Sequence, residues 1–346
     1  ELCGIKVISI KDVSTDADVI IINSDPSNYE IIYKRIAKDV IVPVYYADGR
    51  LACLSDKDTS YEQNEYWQSS YQELKDKIDK VEVVSFDIFD TLIMRKIFSP
   101  EDVFRLLEEK VRVELKLDCE IANVRAQAAS MCGSYATINE IYQYIKQQTN
   151  LIDKNIIDIM QLEKDIDIDL CITRRDIADL YEYCLTCGKE VYLISDMYYT
   201  LQDIKRILDK CGVKVPDDEH IWISCEKKAD KVSGSLWEKY SKLVSKDIRC
   251  LHIGDNKTGD AKNPVIYGID SYYIMSAKDM LMKSSISELA SSVNTVSDSI
   301  CLGLVAAKLF NSPFALCSTN GKVSYDDSEI YGYCVYGPLL EKFLIW

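Results

Sequence analysis

The sequence has 346 residues, 47% of them hydrophobic and 28% charged, so it is long enough to bury a sizeable core in two or more structural units. Its formal net charge of −15 argues against the basic surfaces that nucleic acids and anionic membranes require. No apolar run reaches the length of a transmembrane helix. These features predict a globular protein with no nucleic-acid partner and no membrane span.

Thirteen cysteines are scattered through apolar stretches without a regular spacing. This pattern indicates reduced thiols and predicts a cytoplasmic location. Cys184 and Cys187 form a C-x-x-C pattern, but no partner ligands are evident, so we expect them to be core thiols. His220 and His252 are the only histidines, which argues against a histidine-based metal site or triad. His252 lies in an apolar run, and we expect it to be packed rather than catalytic.

Residues 1–58 alternate strand and helix patterns, which predicts a partial Rossmann-like α/β unit. A Ser-Asp-Pro-Ser segment at 24–27 follows one of its strands, but no glycine-rich phosphate loop accompanies it, so no ligand is assigned there. The predicted elements of this unit are a helix at Tyr29–Ala37 and strands at Lys6–Ile10, Val19–Asn23 and Val40–Tyr46.

Residues 59–80 predict a connecting helix with an aromatic stripe on one face. We expect this stripe to pack against the core, and a docking surface for a partner is the alternative. The next run, Val81–Phe86, is apolar and β-branched, and predicts a buried strand that ends at Asp87. Ligands of parallel α/β sheets bind beyond the carboxyl ends of the strands, although an Asp at this place also commonly caps a turn.

Between Ile93 and Thr186 the pattern is almost wholly helical, and Gly188 ends it. Ser99 and Pro100 indicate the start of a helix, with the serine as its N-cap. The sequence therefore predicts a helical insertion, at about 95–187, between two strands of a sheet.

The rest of the chain alternates strands and helices, which is typical of βαβ units and a parallel sheet. Thr200 and Asp203 form a capping box, and Gly212 is placed to end the helix that they begin. Residues 276–346 predict a C-terminal helical region. The later strands are expected at Glu190–Ile194, His220–Ser224, Ile248–Ile253 and Tyr272–Met275.

The predicted fold class is therefore α/β. It comprises a Rossmann-like parallel sheet core with an inserted helical unit, a partial N-terminal α/β unit and a C-terminal helical region. The expected divisions are 1–58, 59–80, 81–275 and 276–346.

Polar residues stand at the ends of four predicted strands: Asp87, Ser195, Lys231 (just inside a helix start), and the pair Asp255 and Asp260. Phosphoryl transfer needs a nucleophile, donors to the phosphoryl oxygens, a cation, and carboxylates that hold Mg²⁺. An aspartate can attack phosphorus, and a serine hydroxyl can donate a hydrogen bond to a phosphoryl oxygen. A lysine can neutralise the charges of the nucleophile and the phosphate. Two acids five residues apart on a glycine-containing loop can bind Mg²⁺. Each feature alone has an ordinary explanation as a cap, a solvated lysine or a turn, but their joint occurrence favours a site.

These segments resemble the four motifs of the haloacid dehalogenase superfamily, whose members are mostly phosphatases and phosphotransferases with a Rossmann-like core and an inserted cap. With the first motif aligned on Thr91 and Leu92, Asp87 takes the nucleophile position. The resemblance covers residues 81–275, and the insertion falls where the family places its type 1 cap.

The resemblance also implies roles for individual residues. The implied catalytic residues are Asp87, Ser195 and Lys231. The implied Mg²⁺ ligands are Asp87, Asp255, Asp260 and the backbone carbonyl of Phe89. The implied substrate contacts are Thr91, Ser195 and Asp196. Arg95, just past the first motif, is a further candidate contact for an anionic substrate, with a surface position as the alternative.

One residue departs from the family pattern. The position two after the nucleophile, usually an aspartate that acts as general acid and base, is Phe89. Asp90 follows it, but adjacent residues of an extended segment point to opposite sides, so Asp90 is not an obvious substitute. Metal binding and aspartyl-phosphate formation are expected to survive this change better than protonation of the leaving group.

The sequence predicts a Mg²⁺-dependent phosphohydrolase or phosphotransferase for a small phosphorylated metabolite of sugar or nucleotide type. The segments at 86–92, 195–198 and 336–340 are similar to predicted hydrolases found alongside bacterial surface-polysaccharide glycosyltransferases. This implies a glycosyltransferase domain or partner, and a catalytically weak scaffold module is the alternative function. A dehalogenase is the weaker rival, because carbon–halide chemistry has no use for the pair Asp255 and Asp260.

Overall fold

The computed structural model describes residues 19–25, 28–37, 40, 42–47, 49–50, 52, 61–244, 248–324 and 328–337. The strand predicted at Lys6–Ile10 lies outside these residues. The strands are β1 (Ile20–Ile22), β2 (Val44–Tyr46), β3 (Val83–Phe86), β4 (Ile93–Arg95), β5 (Cys171–Thr173), β6 (Glu190–Ser195), β7 (Ile221–Ile223), β8 (Cys250–Gly254) and β9 (Asp270–Tyr273).

The α-helices of the described residues are also numbered in chain order. They are α1 (Tyr29–Ile36), α2 (Tyr71–Asp79), α3 (Asp102–Glu114), α4 (Ile121–Cys132), α5 (Ile138–Gln148), α6 (Asp153–Leu170), α7 (Arg175–Thr186), α8 (Leu201–Lys210), α9 (Ser224–Lys227), α10 (Ser235–Leu243), α11 (Asn263–Ile266), α12 (Ala277–Met282), α13 (Val296–Leu309) and α14 (Ser328–Tyr331). No helix in this part of the chain is long and apolar enough to cross a membrane.

The central sheet has five parallel strands in the order β7-β6-β3-β8-β9. Strand β3 lies in the middle, with Phe86 paired to Leu193 of β6 on one side and to Ile253 of β8 on the other. Because the chain leaves β3 towards β6 and later returns to β8, a crevice is expected at its carboxyl end. The predicted α/β class with a parallel sheet is confirmed.

Apolar residues cover both faces of this sheet, as parallel strands require. On one face, helix α7 packs on β3 through Tyr181, whose ring lies 5.6 Å from that of Phe86. On the other face, Trp237 and Tyr240 of α10 pack on β6 and β8 within a separate buried cluster. Both helices follow the 3.6-residue periodicity, which places their apolar side chains towards the sheet.

The segment predicted to be almost wholly helical contains a short antiparallel pair, β4 with β5, that frames helices α3–α6. The prediction was wrong at this point because a three-residue strand has too little sequence pattern to distinguish it from a helix. The N-cap prediction at Ser99 was also wrong, because α3 begins at Asp102. The capping boxes at Thr137 with Glu140 and at Thr200 with Asp203 are both present.

The helices α3–α6 carry a charged core of their own. The guanidinium of Arg125 donates to both carboxylate oxygens of Glu163 at 2.7 Å, and both side chains are completely buried. The hydroxyl of Tyr142 donates to the same carboxylate at 2.7 Å. A buried pair of this kind needs such additional hydrogen bonds to offset its desolvation.

Of the segment predicted as one connecting helix, the described residues 61–80 instead form two 3₁₀ turns followed by α2. Trp67 is buried, and a Cβ on Gly321 would lie 2.6 Å from its ring, so the C-terminal region closes directly over it. The hydroxyl of Tyr66 donates to the carbonyl of Pro313 and accepts from the backbone N–H of Met275, both at 2.9 Å. Trp67 of the predicted stripe therefore packs against the rest of the chain, as we expected, and Tyr66, which was not part of that stripe, packs beside it.

The C-terminal region also lies directly against the first motif. Helix α13 approaches the chain after β4 so closely that a Cβ on Gly303 would lie 2.4 Å from the backbone of Ile97. The N-terminal pair β1 and β2 is parallel, and helix α1 connects its two strands. Asn28, which precedes α1, accepts a hydrogen bond of 2.8 Å from Lys278 of α12. Both terminal regions are thus placed near the carboxyl edge of the central sheet.

Candidate active site

Asp87, Lys231 and Asp260 form a buried network of ion pairs at the carboxyl edge of the sheet. The Nζ atom of Lys231 lies 2.6 Å from Oδ1 of Asp87 and 2.6 Å from Oδ1 of Asp260. All three side chains are at most 6% exposed. The backbone N–H of Asp87 donates to the carbonyl of Ile253 at 2.9 Å, which fixes the carboxylate beside β8. One buried cation therefore forms ion pairs with two carboxylates that follow different strands.

Asp255 completes a cluster of three acids. One carboxylate oxygen from each of Asp87, Asp255 and Asp260 lies within 4.8 Å of the other two. Burial, together with Asp90 and its other acidic neighbours, raises the pKa of Asp255 well above its usual range. Burial also raises the pKa of Asp87 to about 7, although Lys231 opposes this shift. Three carboxyl groups at this distance, two buried and that of Asp255 half-buried, fit Mg²⁺, which prefers oxygen ligands and would offset their repulsion.

His252, Gly254 and Asn256 hold Asp260 in place. Burial lowers the pKa of His252, so its neutral ring accepts from Ser85 through Nδ1 at 2.9 Å and donates to Asp260 through Nε2 at 3.1 Å. The backbone N–H of Asn256 donates to the second oxygen of Asp260 at 2.9 Å. A Cβ on Gly254 would lie 2.5 Å from the Asp260 carboxyl carbon, so only glycine leaves room for it.

These contacts have an electrostatic consequence. Burial opposes the charge of Asp260, but Lys231 and His252 outweigh it and hold its pKa below the usual range. The expectation that His252 is packed is confirmed, since it is completely buried. Its contact with Asp260 was missed, although a histidine within an apolar strand, eight residues before an acid, was the available signal.

Lys231 lies in the loop before α10 and not inside a helix start, so the predicted location was wrong. The carboxylate of Asp196 accepts the backbone N–H of Lys231 through both oxygens at 3.0 Å. The side chain of Lys231 also lies 3.4 Å from the carbonyl of Ile194, next to the buried Ser195 at the end of β6. Asp196 thus positions the lysine, which is a different contact from the substrate contact implied by the resemblance.

Asp90 does not point away from the site as an extended segment would require. Its φ of 57° is left-handed, so the alternation rule does not apply at this residue. It lines the same cavity as Asp255, and burial raises its pKa. Thr91 is fully buried, with no partner for its hydroxyl among the described residues, and it lines neither cavity described below.

The side chain of Arg95 is only 10% exposed, so the alternative of a surface position is wrong. Its guanidinium donates to both oxygens of Asp167 at 2.6 and 3.2 Å, and lies 4.3 Å from the centre of the Phe89 ring. Tyr199 donates to the same aspartate at 2.7 Å. Asp167 belongs to α6, so this network joins the insertion to the first motif. Arg95 lines the cavity beside Asp90, but its charge is already matched there.

Arg174 was missed by the sequence analysis. It is completely buried and donates to the carbonyls of Asp90, Met275 and Asn311. Burial lowers its pKa, and no carboxylate of the described residues forms an ion pair with it. A polar run around residues 173–176 gave no signal for this position, because its three partners come from distant parts of the chain. Arg174 holds the turn that carries Asp90.

Two cavities flank this site. The larger, about 730 Å³, is lined by Asp90 and Asp255 together with residues after β4 and from α12. The smaller, about 380 Å³, is lined by Asp196 and Asp230 and by residues at the end of α4. Val232, the residue after Lys231, contributes to both. The larger cavity therefore leads to Asp255, and the smaller one lies beside Asp196 on the other side of Val232.

The topology and the site agree with the arrangement that the motif resemblance predicted: the strand that ends at Asp87 is central, the insertion follows it, and the motif residues converge at one edge. The chain has the α/β arrangement that the resemblance to the haloacid dehalogenase superfamily implies. The predicted resemblance is confirmed at this level.

No family model matches the chain, and no curated protein matches it. Among solved structures it is similar to a haloacid dehalogenase-like family hydrolase from Xanthomonas campestris, with 15% identity over 57% of this chain and 82% of that chain, at a TM-score of 0.39. It is also similar to a HAD family enzyme from Bacteroides thetaiotaomicron in complex with magnesium and inorganic phosphate, with 16% identity, 57% and 95% coverage and a TM-score of 0.37. It is similar as well to the L-2-haloacid dehalogenase from Xanthobacter autotrophicus, with 13% identity over 61% of this chain and 86% of that chain, at a TM-score of 0.38.

A metal at the three acids predicts a specific thermal behaviour. We expect Mg²⁺ to raise the melting temperature of the wild type, because it binds the folded state. At a hundredfold excess over its dissociation constant, it should add about 2.7 kcal/mol to the free energy of unfolding. The double variant Asp255→Asn/Asp260→Asn should lose this response. The exposed pair Asp209→Asn/Asp217→Asn serves as the control and should keep it. An unchanged Mg²⁺ response in the first variant contradicts the assignment.

Proposed function

We propose that this chain is a Mg²⁺-dependent phosphohydrolase or phosphotransferase that acts on a small phosphorylated metabolite, of sugar or nucleotide type, through an aspartyl phosphate on Asp87. The observation that carries the proposal is the buried contact of Lys231 with both Asp87 and Asp260, beside Asp255. A carboxylate, a fixed cation and paired acids at one sheet edge are the parts that phosphoryl transfer requires.

In the first step, a carboxylate oxygen of Asp87 forms a bond to phosphorus while the bond from phosphorus to the leaving oxygen breaks. Lys231 orients the nucleophile and favours its ionised form, because its ammonium group contacts Oδ1 directly. Ser195, at the end of the neighbouring strand, supplies a hydroxyl towards the phosphoryl oxygens. When bound, Mg²⁺ neutralises the charge shared by the phosphoryl group and the carboxylates. In the second step, water or an acceptor alcohol attacks the same phosphorus and releases Asp87.

The leaving oxygen of a sugar phosphate needs a proton from a general acid. Phe89 has no acidic proton to give, and its ring is covered by the guanidinium of Arg95. Asp90 lines the cavity beside Asp255, in an environment that favours its protonated form. A well-placed general acid contributes about 10²–10⁴-fold in rate.

This chemistry predicts a dependence on the leaving group. Without a general acid, the wild type with Mg²⁺ should hydrolyse 4-nitrophenyl phosphate at least about a hundredfold faster than glucose 6-phosphate of similar affinity, because an aryl oxide leaves without a proton. The measurement is kcat for both esters, with EDTA as the metal-free control. Phe89→Asp should narrow this difference in kcat, with its folding checked by thermal melting, since truncating a partly buried aromatic side chain destabilises.

Two other results are informative. If the wild type hydrolyses both esters equally and Asp90→Asn slows only the sugar ester, then Asp90 is the general acid. If no ester of a phosphate panel is hydrolysed with Mg²⁺, the proposed activity is wrong. The second candidate, a catalytically weak module within a glycosyltransferase-linked polysaccharide protein, is favoured by Phe89 at the general-acid position and would then stand.

A further inference from the structure

The larger cavity is built mainly by parts of the chain outside the insertion. Its walls come from residues 94–101 after β4, the loop at 255–258, helix α12, and Asp25 and Asn28 near α1. No described residue of helices α3–α6 lines it. The N-terminal and C-terminal regions, for which the catalytic steps above give no role, therefore complete a cavity that begins at Asp90 and Asp255.

Three lysines of this cavity have no carboxylate within ion-pair distance among the described residues: Lys257, Lys278 and Lys283. Lys278 donates to neutral partners, Oδ1 of Asn28 at 2.8 Å and Oγ of Ser99 at 3.1 Å. The ammonium group of Lys257 lies 5.7 Å from the centre of the Tyr273 ring. Elsewhere on this acidic chain many lysines contact an acid, as in the pairs Lys75–Asp79 and Lys110–Glu114. Cations that converge on a cavity without such partners indicate an anionic ligand.

Acids also line this cavity. Asp279 stands among all three lysines and reduces their combined charge by one. Asp25 and Glu101 also line the cavity. Asp90 and Asp255 lie at its catalytic end, where the proposed Mg²⁺ would bind. With Arg95, the described lining carries four cations and five acids. Around α12 and the 255–258 loop, three lysines stand against Asp255 and Asp279, so the cationic excess is local to that part and amounts to one charge before Mg²⁺ binds.

The smaller cavity does not offer this chemistry. Its charged lining residues are Asp196 and Asp230, and the others are mostly apolar or small. Both acids are held by backbone N–H groups of the same loop, so they keep their place beside Lys231. An anionic group would be repelled there, which leaves the larger cavity as the place for it.

We propose that the larger cavity binds a second phosphate group, so that the substrate is a bisphosphate: a phosphate ester that carries a further phosphate on its leaving group. The scissile phosphate lies at Asp87, and the second one is held by Lys257, Lys278 and Lys283. This inference rests on the proposed function and names its substrate class. It assigns the choice of substrate to the terminal regions of the chain rather than to the helical insertion.

Calorimetry with Mg²⁺ tests the proposal, with glucose 1,6-bisphosphate and glucose 6-phosphate as probes. Each protein carries Asp87→Asn, so that neither probe is consumed. We expect the bisphosphate to bind at least about tenfold more tightly, because one charge-assisted hydrogen bond corresponds to that factor or more. Lys278→Gln/Lys283→Gln should remove the preference. The control Lys262→Gln/Lys322→Gln removes two exposed lysines that do not line the cavity and should keep it.

Lys278 bonds Asn28 and Ser99, so melting temperatures accompany these titrations. If the double variant does not fold, Lys283→Gln alone decides, because this exposed side chain has no hydrogen bond to lose among the described residues; the preference should fall by about threefold. Equal affinities for the two probes, or a preference that survives the substitutions, overturn the proposal. If the protein prefers the bisphosphate but the wild type never releases phosphate, only the proposed function is contradicted. If the wild type releases phosphate but the protein does not prefer the bisphosphate, only this inference is contradicted.

Discussion

Asp87→Asn is expected to lower phosphate release to the background rate, a loss of at least about 10⁴-fold, as is typical when a nucleophile is removed. The amide keeps the shape of the side chain but cannot attack phosphorus. It also removes the negative charge that Lys231 contacts at 2.6 Å. The measurement is kcat for 4-nitrophenyl phosphate with Mg²⁺, after thermal melting has shown that the variant is folded.

The exposed residue Asp209 provides the matched control, since Asp209→Asn makes the same chemical change far from the acids. Its rate should equal that of the wild type. A variant at Asp87 that keeps a tenth of the wild-type rate or more would reject this residue as the nucleophile, and with it the covalent mechanism.

Lys231→Met is expected to have the largest effect on stability. The substitution keeps the length of the side chain but leaves two buried carboxylates without their cation. Removing one member of a buried ion pair destabilises by about 3–5 kcal/mol. Urea unfolding should show this loss in the absence of metal, together with the loss of activity. Mg²⁺ should restore more stability to this variant than to the wild type, because it neutralises the same acids.

Lys262→Met tests whether any lysine substitution would have this effect. Lys262 is exposed, and its change should alter the free energy of unfolding by no more than about 0.5 kcal/mol. If Lys231→Met destabilises by less than about 1 kcal/mol, the carboxylates do not depend on this cation, and the electrostatic account of the site is wrong.

The sheet and the approach of the motif residues could be predicted from the sequence, because both follow from local patterns. A buried strand is an apolar run, and a parallel sheet brings the residues after its strands to one edge. Asp87, Asp255 and Asp260 lie together for this reason. The role of each residue came from the family resemblance, since spacing alone did not distinguish a metal ligand from a turn residue.

The contacts that shape the cavity could not be predicted, because each joins distant parts of the chain. Arg95 reaches Asp167 on α6, and Arg174 reaches the carbonyls of Asp90, Met275 and Asn311. A single polar residue carries no pattern from which a partner tens of residues away can be inferred. The orientation of Asp90 was misjudged for a related reason: its left-handed backbone depends on the turn that Arg174 holds.

The most direct test of the central claim is a crystal structure of the protein with Mg²⁺ and beryllium fluoride, which mimics an acyl phosphate. We predict a beryllium atom bonded to a carboxylate oxygen of Asp87, with its fluorine atoms within hydrogen-bond distance of Ser195 and Lys231, and Mg²⁺ between it and Asp255. An adduct on another residue, or no adduct at Asp87 in crystals that hold Mg²⁺ at the three acids, would contradict an aspartyl-phosphate mechanism in this chain.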